Sequence, residues 1–256
     1  MKESILHSIR AVPAIDLAEL ALVDFPSRTD TKFIFDPNLV PEFLESVAHD
    51  LKVLEVNGTR MFDYQNEYYD TAQFKSFADH QVGKGNRVKI RSRKYGEKGP
   101  FYLEIKHKNN KGETLKERLR LAQWADRNSE VANQFLKERI SMGFEELNQI
   151  IPVNYSRVTF ANASLTEKYT LDIGLHTVDN NGKIDFSYLA IAEVKQTRFS
   201  RKSPFMQGLK QRKIYPHKFS KYCFSVMHTH PLLKHNRFKG IVRTAQKIKL
   251  NYDSAA

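Results

Sequence analysis

The segment Arg87-Val88-Lys89-Ile90-Arg91-Ser92-Arg93 carries a cation at every second position. Side chains alternate faces along a β-strand, so on a strand all four cations share one face and Val88 and Ile90 take the other. Two more segments repeat the pattern. Tyr102, Glu104, Lys106 and Lys108 oppose Phe101, Leu103 and Ile105; Lys116, Arg118 and Arg120 oppose Leu115, Leu119 and Leu121. Elsewhere Arg28, Asp30 and Lys32 oppose Phe33 and Phe35, Tyr155 shares a face with Arg157, Lys168 with Thr170 and Asp172, and Glu193 with Lys195. Cations two apart on a strand lie about 7 Å from each other. Each such pair repels by roughly 0.6 kcal/mol in bulk water and about 2.4 kcal/mol at an effective dielectric of 20. Taken singly, each strand reads as the solvated outer face of an amphipathic element. Taken together they depart from that reading, because solvated faces mix both signs. A barrel lined this way is a site for several phosphates, and without an anion its lining is costly.

The charge distribution agrees. The chain has 256 residues with 41 Lys+Arg against 29 Asp+Glu, a balance of +12. Residues 1–83 carry a net −7, 84–120 a net +9, 121–193 a net −4, and 194–252 hold 15 basic side chains and no acid. Such segregation points to a polyanionic partner: nucleic acid, an anionic membrane surface or a phosphate-rich small molecule. A nucleic-acid binder is disfavoured, since it needs cations on an outer surface with exposed aromatics, whereas here cations alternate with apolar positions strand after strand. Cys223 is the only cysteine, which excludes an internal disulfide and a multi-cysteine zinc site. No apolar run approaches the roughly 18–20 residues needed to cross a bilayer, and the N-terminus lacks a secretory signal pattern. The expectation is a soluble cytoplasmic protein, associated with a membrane only through a membrane-protein partner.

Turn signals recur at Asn57-Gly58, Gly83-Lys84-Gly85, Gly96 to Pro100, Asn109 to Gly112 and Asn180-Asn181-Gly182. Between them lie strand-period runs, among them Arg28–Phe35, Arg87–Tyr95, Phe101–Lys108, Leu115–Leu121, Val153–Ala161, Lys168–Ile173, Tyr188–Lys195 and Lys221–Met227. Asp36 and Pro37 start a helix carrying Leu39, Phe43, Leu44, Val47 and Leu51, and Asp126 caps another with Val131, Phe135, Leu136 and Ile140 on one face. Gly83-Lys84-Gly85 closes a hairpin, and His228-Thr229-His230 sets two imidazoles on one strand face. The basic tail, 234–256, is an amphipathic helix that closes one end of the barrel or lies on an anionic membrane. The predicted fold is α+β: a single domain over 1–256, built as a closed antiparallel β-barrel with a few flanking helices.

Several of these residues together resemble the VTC domain, the polyphosphate polymerase domain of the vacuolar transporter chaperone complex. The resemblance rests on Arg28-Thr29-Asp30-Thr31-Lys32-Phe33, Tyr69-Asp70-Thr71, Arg91-Ser92-Arg93-Lys94-Tyr95-Gly96, Glu104-Ile105-Lys106, Lys116-Glu117-Arg118, Tyr155-Ser156-Arg157, Glu193-Val194-Lys195 and Phe219-Ser220-Lys221-Tyr222. It spans about residues 15–230 and is strongest to short bacterial members that lack an SPX domain. It implies a triphosphate tunnel fold of the CYTH-like superfamily with a basic bore and a divalent Mn²⁺ or Mg²⁺ cofactor. It also implies an ATP-dependent phosphotransferase that adds the terminal phosphate of ATP to polyphosphate. By motif, Lys32, Arg91, Arg93, Lys106, Lys116, Arg157 and Lys221 would carry the catalytic grip on phosphates. Arg28, Lys89, Arg118, Tyr155, Lys168, Lys195 and Ser220 would add substrate contacts. Glu193 would hold the metal, with Glu104 and Asp172 either as further ligands or as salt-bridge partners of nearby cations. Lys168 stands where the family usually has arginine. Lysine keeps the charge and loses bidentate geometry. A hydrolase of triphosphates and a non-catalytic polyphosphate or nucleotide binder are the alternatives. On the reading of a mutually repelling bore, Arg93→Ala should weaken nucleotide binding and stabilise the ligand-free protein.

Overall fold

A computed structural model of the chain describes residues 1–23, 25, 28–111, 113–179 and 182–255. Its strands are β1 (Ala14–Ile15), β2 (Thr29–Phe35), β3 (Leu51–Leu54), β4 (Met61–Asp70), β5 (Arg87–Tyr95), β6 (Phe101–Lys108), β7 (Thr114–Leu121), β8 (Asn148–Asn162), β9 (Glu167–Asp179), β10 (Gly182–Asp185) and β11 (Ala190–Gln196). They form one sheet with the path β2-β11-β9-β8-β4-β5-β6-β7. Off this path β3 joins β8, β10 joins β9, and β1 pairs with β3 in a parallel ladder. The helices are α1 (Lys2–Ser8), α2 (Leu17–Leu22), α3 (Val40–Val47), α4 (Lys75–Val82), α5 (Glu130–Ile140), α6 (Pro204–Gln211), α7 (Lys221–Thr229) and α8 (Lys239–Ser254).

The sheet curls but does not close. Among the described residues no ladder joins β2 to β7, so the expected closed barrel is instead an open half-barrel. The free side of β2 is partly covered by the segment before α7: Phe33 bridges Pro216, and the His217 amide donates to the Lys32 carbonyl at 2.7 Å. The free edge of β7 is bare, and Leu115 on it is 56% exposed. The cations Lys116, Arg118 and Arg120 along this strand discourage edge-to-edge pairing with another chain.

Alternation decides what each face meets. Many convex-face residues are apolar and lie under helices. Phe33, Phe35, Val158, Phe160, Leu171 and Val194 form a core with residues of α1, α3 and α6, and Ile90, Leu103 and Ile105 form another with Phe135 and Leu136 of α5. The concave face is charged over part of its length and then turns apolar, since Ile34 follows Lys32 and Ile191 follows Glu193 at the same parity. Helix α7 packs on this apolar part with Tyr222, Phe224 and Val226, and Ile241, Val242 and Ile248 of α8 join the same cluster. The C-terminal helix therefore turns its apolar side to the protein and closes one end. No helix among the described residues is long and apolar enough to cross a membrane.

Several local expectations are corrected. Lys221–Met227 is helical, because Ser220 caps it by accepting the Cys223 amide and the run is buried on all sides. His228 and His230 thus share no strand face; they hydrogen-bond Phe224 O and Thr229. Asp36 caps a 3-10 turn (Pro37–Leu39) that leads into α3, and Leu51 belongs to β3. Ser129, not Asp126, caps α5, and Val131 is exposed. Gly83 ends α4 at φ 76° rather than closing a hairpin. The expected turn residues Gly112, Asn180 and Asn181 lie outside the described residues.

Candidate functional site

The concave face encloses a cavity of about 200 Å³. β2 supplies Asp30 and Lys32, with Arg28 just before it; β5 supplies Lys89, Arg91 and Arg93; β6 and β7 supply Glu104, Lys106 and Lys116. β8 adds Tyr155 and Arg157, β11 adds Glu193 and Lys195, and the start of α7 adds Ser220 and Lys221. Strands from opposite ends of the sheet path thus line one space, which is the direct measure of how far the sheet curls.

Each carboxylate bridges two or more cations. Asp172 accepts two hydrogen bonds from Arg157, at 2.5 and 2.7 Å, and one from Lys221 at 2.5 Å. Burial alone would raise its pKa, yet Arg157 and Lys221 hold it down to about 2. Glu104 takes Arg91 Nε at 2.7 Å and Nη2 at 2.6 Å on one oxygen, with Lys116 2.6 Å from the other. Burial again opposes, and Arg91, Arg93 and Lys116 hold it well below the usual carboxylate range. Glu193 is held only by ammonium groups, Lys195 at 2.5 Å and Lys32 at 3.8 Å. These override its burial and keep it ionised.

The lysines answer in the opposite sense. Lys89, Lys106 and Lys116 are pushed down to about 8, first by burial within the cavity and then by neighbouring cations, against the opposing pull of Glu193 on Lys106 and Glu104 on Lys116. Lys106 and Lys116 still meet water there, which moderates the effect of burial. Lys106, on β6, feels Lys32 and Asp30 of β2 and Glu193 of β11. Lys89 donates to Ser220 Oγ at 2.8 Å. Arg93 is 3% exposed and donates to Asn66 Oδ1 and Tyr155 Oη, both at 2.8 Å, with its guanidinium 4.9 Å from the centre of the Tyr64 ring.

Two expected contacts stand apart from this cavity's lining. Arg118, on the exposed edge strand, lies over the Tyr102 ring at 5.0 Å. Lys168 sits opposite Lys195 in the β9–β11 ladder. Conversely, Tyr68 lines the cavity and accepts from Arg91 at 3.0 Å. Burial raises its phenol, but Arg91 and Arg93 outweigh burial and lower it overall. The period-two run Tyr64, Asn66, Tyr68 in β4 is the sequence signal that could have found it.

Beyond Lys32, Lys89 and Lys106 the space widens into an outer chamber of about 710 Å³, walled by Arg87, Lys108, His80, His217, Lys218 and Arg237. Burial and the cations Lys89, Arg87, Lys32 and Lys108 push His80 down to about 2, so it is neutral. His80 and Arg237 went unread as site residues. The acid-free stretch 194–252 was the available signal for Arg237.

Among the described residues no three or more His, Cys, Asp or Glu side chains stand together as a metal site. Glu104 and Asp172 are 2% exposed; Asp172 is hydrogen-bonded on both oxygens, while Glu104 Oε1 has the Lys116 ammonium 2.6 Å away but accepts no hydrogen bond. Glu193 is the more accessible carboxylate, at 13%, with Asp30 beside it across Lys195. One or two carboxylates facing a cationic cavity suit a hard divalent cation that takes its other oxygens from water or from an anionic ligand.

The family model described as VTC domain matches residues 27–230. The chain belongs to the VTC domain family. That match contains every carboxylate and cation of the inner cavity. The VTC domain here is also similar to solved structures, all of low identity. A putative adenylate cyclase from Vibrio parahaemolyticus is 12% identical with a TM-score of 0.43, covering 77% of this chain and 96% of that one. A putative adenylyl cyclase from Hippeastrum, described as having a dominant triphosphatase activity, is 14% identical with a TM-score of 0.47, over 80% of this chain and 98% of that one. A protein from Pyrococcus horikoshii is 15% identical with a TM-score of 0.37, over 72% and 98%. No curated protein matches by sequence.

Proposed function

We propose that this VTC domain is a cytoplasmic polyphosphate polymerase that transfers the terminal phosphate of ATP to a polyphosphate chain. The observation that carries the reading is the surplus of positive charge in one enclosed space. After the carboxylates are satisfied, Lys89 and Lys106 face the cavity with no ion-pair partner among the described residues. An anion of several charges would relieve the mutual repulsion of such a lining.

In the reaction a terminal oxygen of the polyphosphate attacks the γ-phosphorus of ATP. The bond from that phosphorus to the bridging β–γ oxygen breaks, and ADP leaves with its electron pair. Such transfer asks the protein mainly for in-line positioning and neutralisation of the equatorial oxygens. Arg91, Arg93 and Arg157 suit bridging between adjacent phosphates, while Lys32, Lys106, Lys116 and Lys221 act as point charges. A Mn²⁺ or Mg²⁺ ion at Glu193, once bound, would add further neutralisation of the phosphate oxygens.

A triphosphate hydrolase is the second reading, favoured by the open seam between β2 and β7, which gives water a route to the terminal phosphate. Incubation with ATP and Mn²⁺, assaying acid-insoluble polyphosphate and free phosphate together, separates the two. Polymer with equimolar ADP is the expected result. Free phosphate without polymer would establish the hydrolase, and neither product would leave a binding module.

A further inference from the structure

Lys195 already holds one oxygen of Glu193, a position that a metal ion would otherwise take. Its Nζ lies 2.5 Å from Glu193 Oε2 and 3.9 Å from Asp30 Oδ1. The β2–β11 register makes this arrangement: Glu193 pairs with Lys32 and Lys195 with Asp30, so two carboxylates and two ammonium groups alternate as a checkerboard on one face. Side-chain exposure is 13% for Glu193 and 15% for Lys195, so water screens the contact little.

The three clamped carboxylates differ in what holds them. Asp172 receives two hydrogen bonds from Arg157, one on each oxygen, a fixed fork that a competing ion displaces poorly, and Glu104 receives one from Arg91 Nε with Nη2 2.6 Å from the same oxygen. Glu193 is gripped by lysines alone, which are point charges on flexible stems and can turn toward another anion. A bare divalent ion entering this cavity meets ten cationic side chains against the carboxylates Asp30, Glu104 and Glu193 among the described residues, and its ligand is already neutralised. A phosphate chain changes both conditions. It lowers the positive potential, and it offers Lys195 and Lys32 other oxygens to bind.

We propose that Lys195 is a resident cation that guards Glu193, so that divalent metal enters only together with, or after, the phosphate chain. The protein then selects the metal–polyphosphate complex and does not bind the metal alone. This rests on the reading that Glu193 is the metal-holding carboxylate.

Equilibrium dialysis of the full chain against Mn²⁺, with and without tripolyphosphate on both sides, tests it by measuring protein-bound metal and phosphate. The wild-type protein should retain no Mn²⁺ alone and about one per chain with tripolyphosphate. Lys195→Met should bind Mn²⁺ without phosphate at least roughly tenfold more tightly than wild type, since a unit charge is removed at contact distance. Lys195→Arg should keep the exclusion, and Lys195→Met with Glu193→Gln should lose the new binding. Wild-type protein that retains Mn²⁺ without phosphate as well as with it overturns the guard, whatever the variants do. Tripolyphosphate retained with no more metal than in Glu193→Gln would instead overturn the metal site at Glu193, and the two failures are thereby told apart.

Discussion

Arg93 neighbours Arg91 and Lys94 in sequence and faces Arg91 along its strand, which in one dimension reads as pure repulsion. In the fold its buried guanidinium donates to the buried Asn66 and Tyr155 and lies over Tyr64. Removing it leaves buried polar atoms without partners, and that cost exceeds the relief of repulsion. The expectation of a more stable Arg93→Ala protein is therefore reversed. The variant should lose roughly 1–3 kcal/mol of ligand-free stability, measured by urea denaturation at neutral pH. A rise in the denaturation midpoint would restore the repulsion account. Arg93 was legible as a cavity residue because strand parity is local. Its partners were not, because Asn66 and Tyr155 come from strands 27 and 62 residues away in the chain.

Helix α7 shows where reading by element fails. A helix with one wet face reveals itself by a 3.6-residue period, but Tyr222 to Met227 is buried throughout and carries no such period. A short apolar run of this kind reads equally well as a strand. What makes it helical is the Ser220 cap together with the space left on the concave sheet. Ser220 Oγ has two duties there: it accepts the Cys223 amide and the Lys89 ammonium. Ser220→Ala should cost about 1 kcal/mol of stability as a lost N-cap. It should also weaken tripolyphosphate binding, because Lys89 loses its positioning contact. Thermal unfolding and titration calorimetry on the same samples check both effects, and a stability loss with unchanged affinity would reduce Ser220 to a cap. β5, β6 and β7 were legible as strands because each has one charged and one apolar face. β4 was not, since its tyrosines suit either face.

At the scale of the molecule the cavity is one electrostatic unit assembled from strands far apart in sequence, and its pH response is collective. Burial in the cavity pushes Lys89, Lys106 and Lys116 down to about 8 from the ordinary 10.5, with water moderating the effect at Lys106 and Lys116. Between those values the unfolded chain holds more protons than the folded one, so these groups make ligand-free stability rise with pH over that window. A bound polyanion favours the charged lysines, so the sign inverts for binding. Tripolyphosphate affinity should fall as pH rises through about 8, with proton uptake on binding. Calorimetry in two buffers of different ionisation enthalpy measures that uptake, and pH-independent affinity from 7 to about 9.5 would exclude linked lysines.

The sequence by itself determined which side chains share a face and that this face is cationic, because strand parity and formal charge need no knowledge of neighbours. The motifs carried by those same strands determined the family. Only the tertiary structure decided that the charged faces turn inward on one cavity, that the sheet stays open between β2 and β7, and that each carboxylate is already clamped by two cations. Those outcomes depend on strand order, on the curl of the sheet and on α7 filling its apolar end. All three are set by contacts between segments far apart in the chain, which a local pattern does not encode.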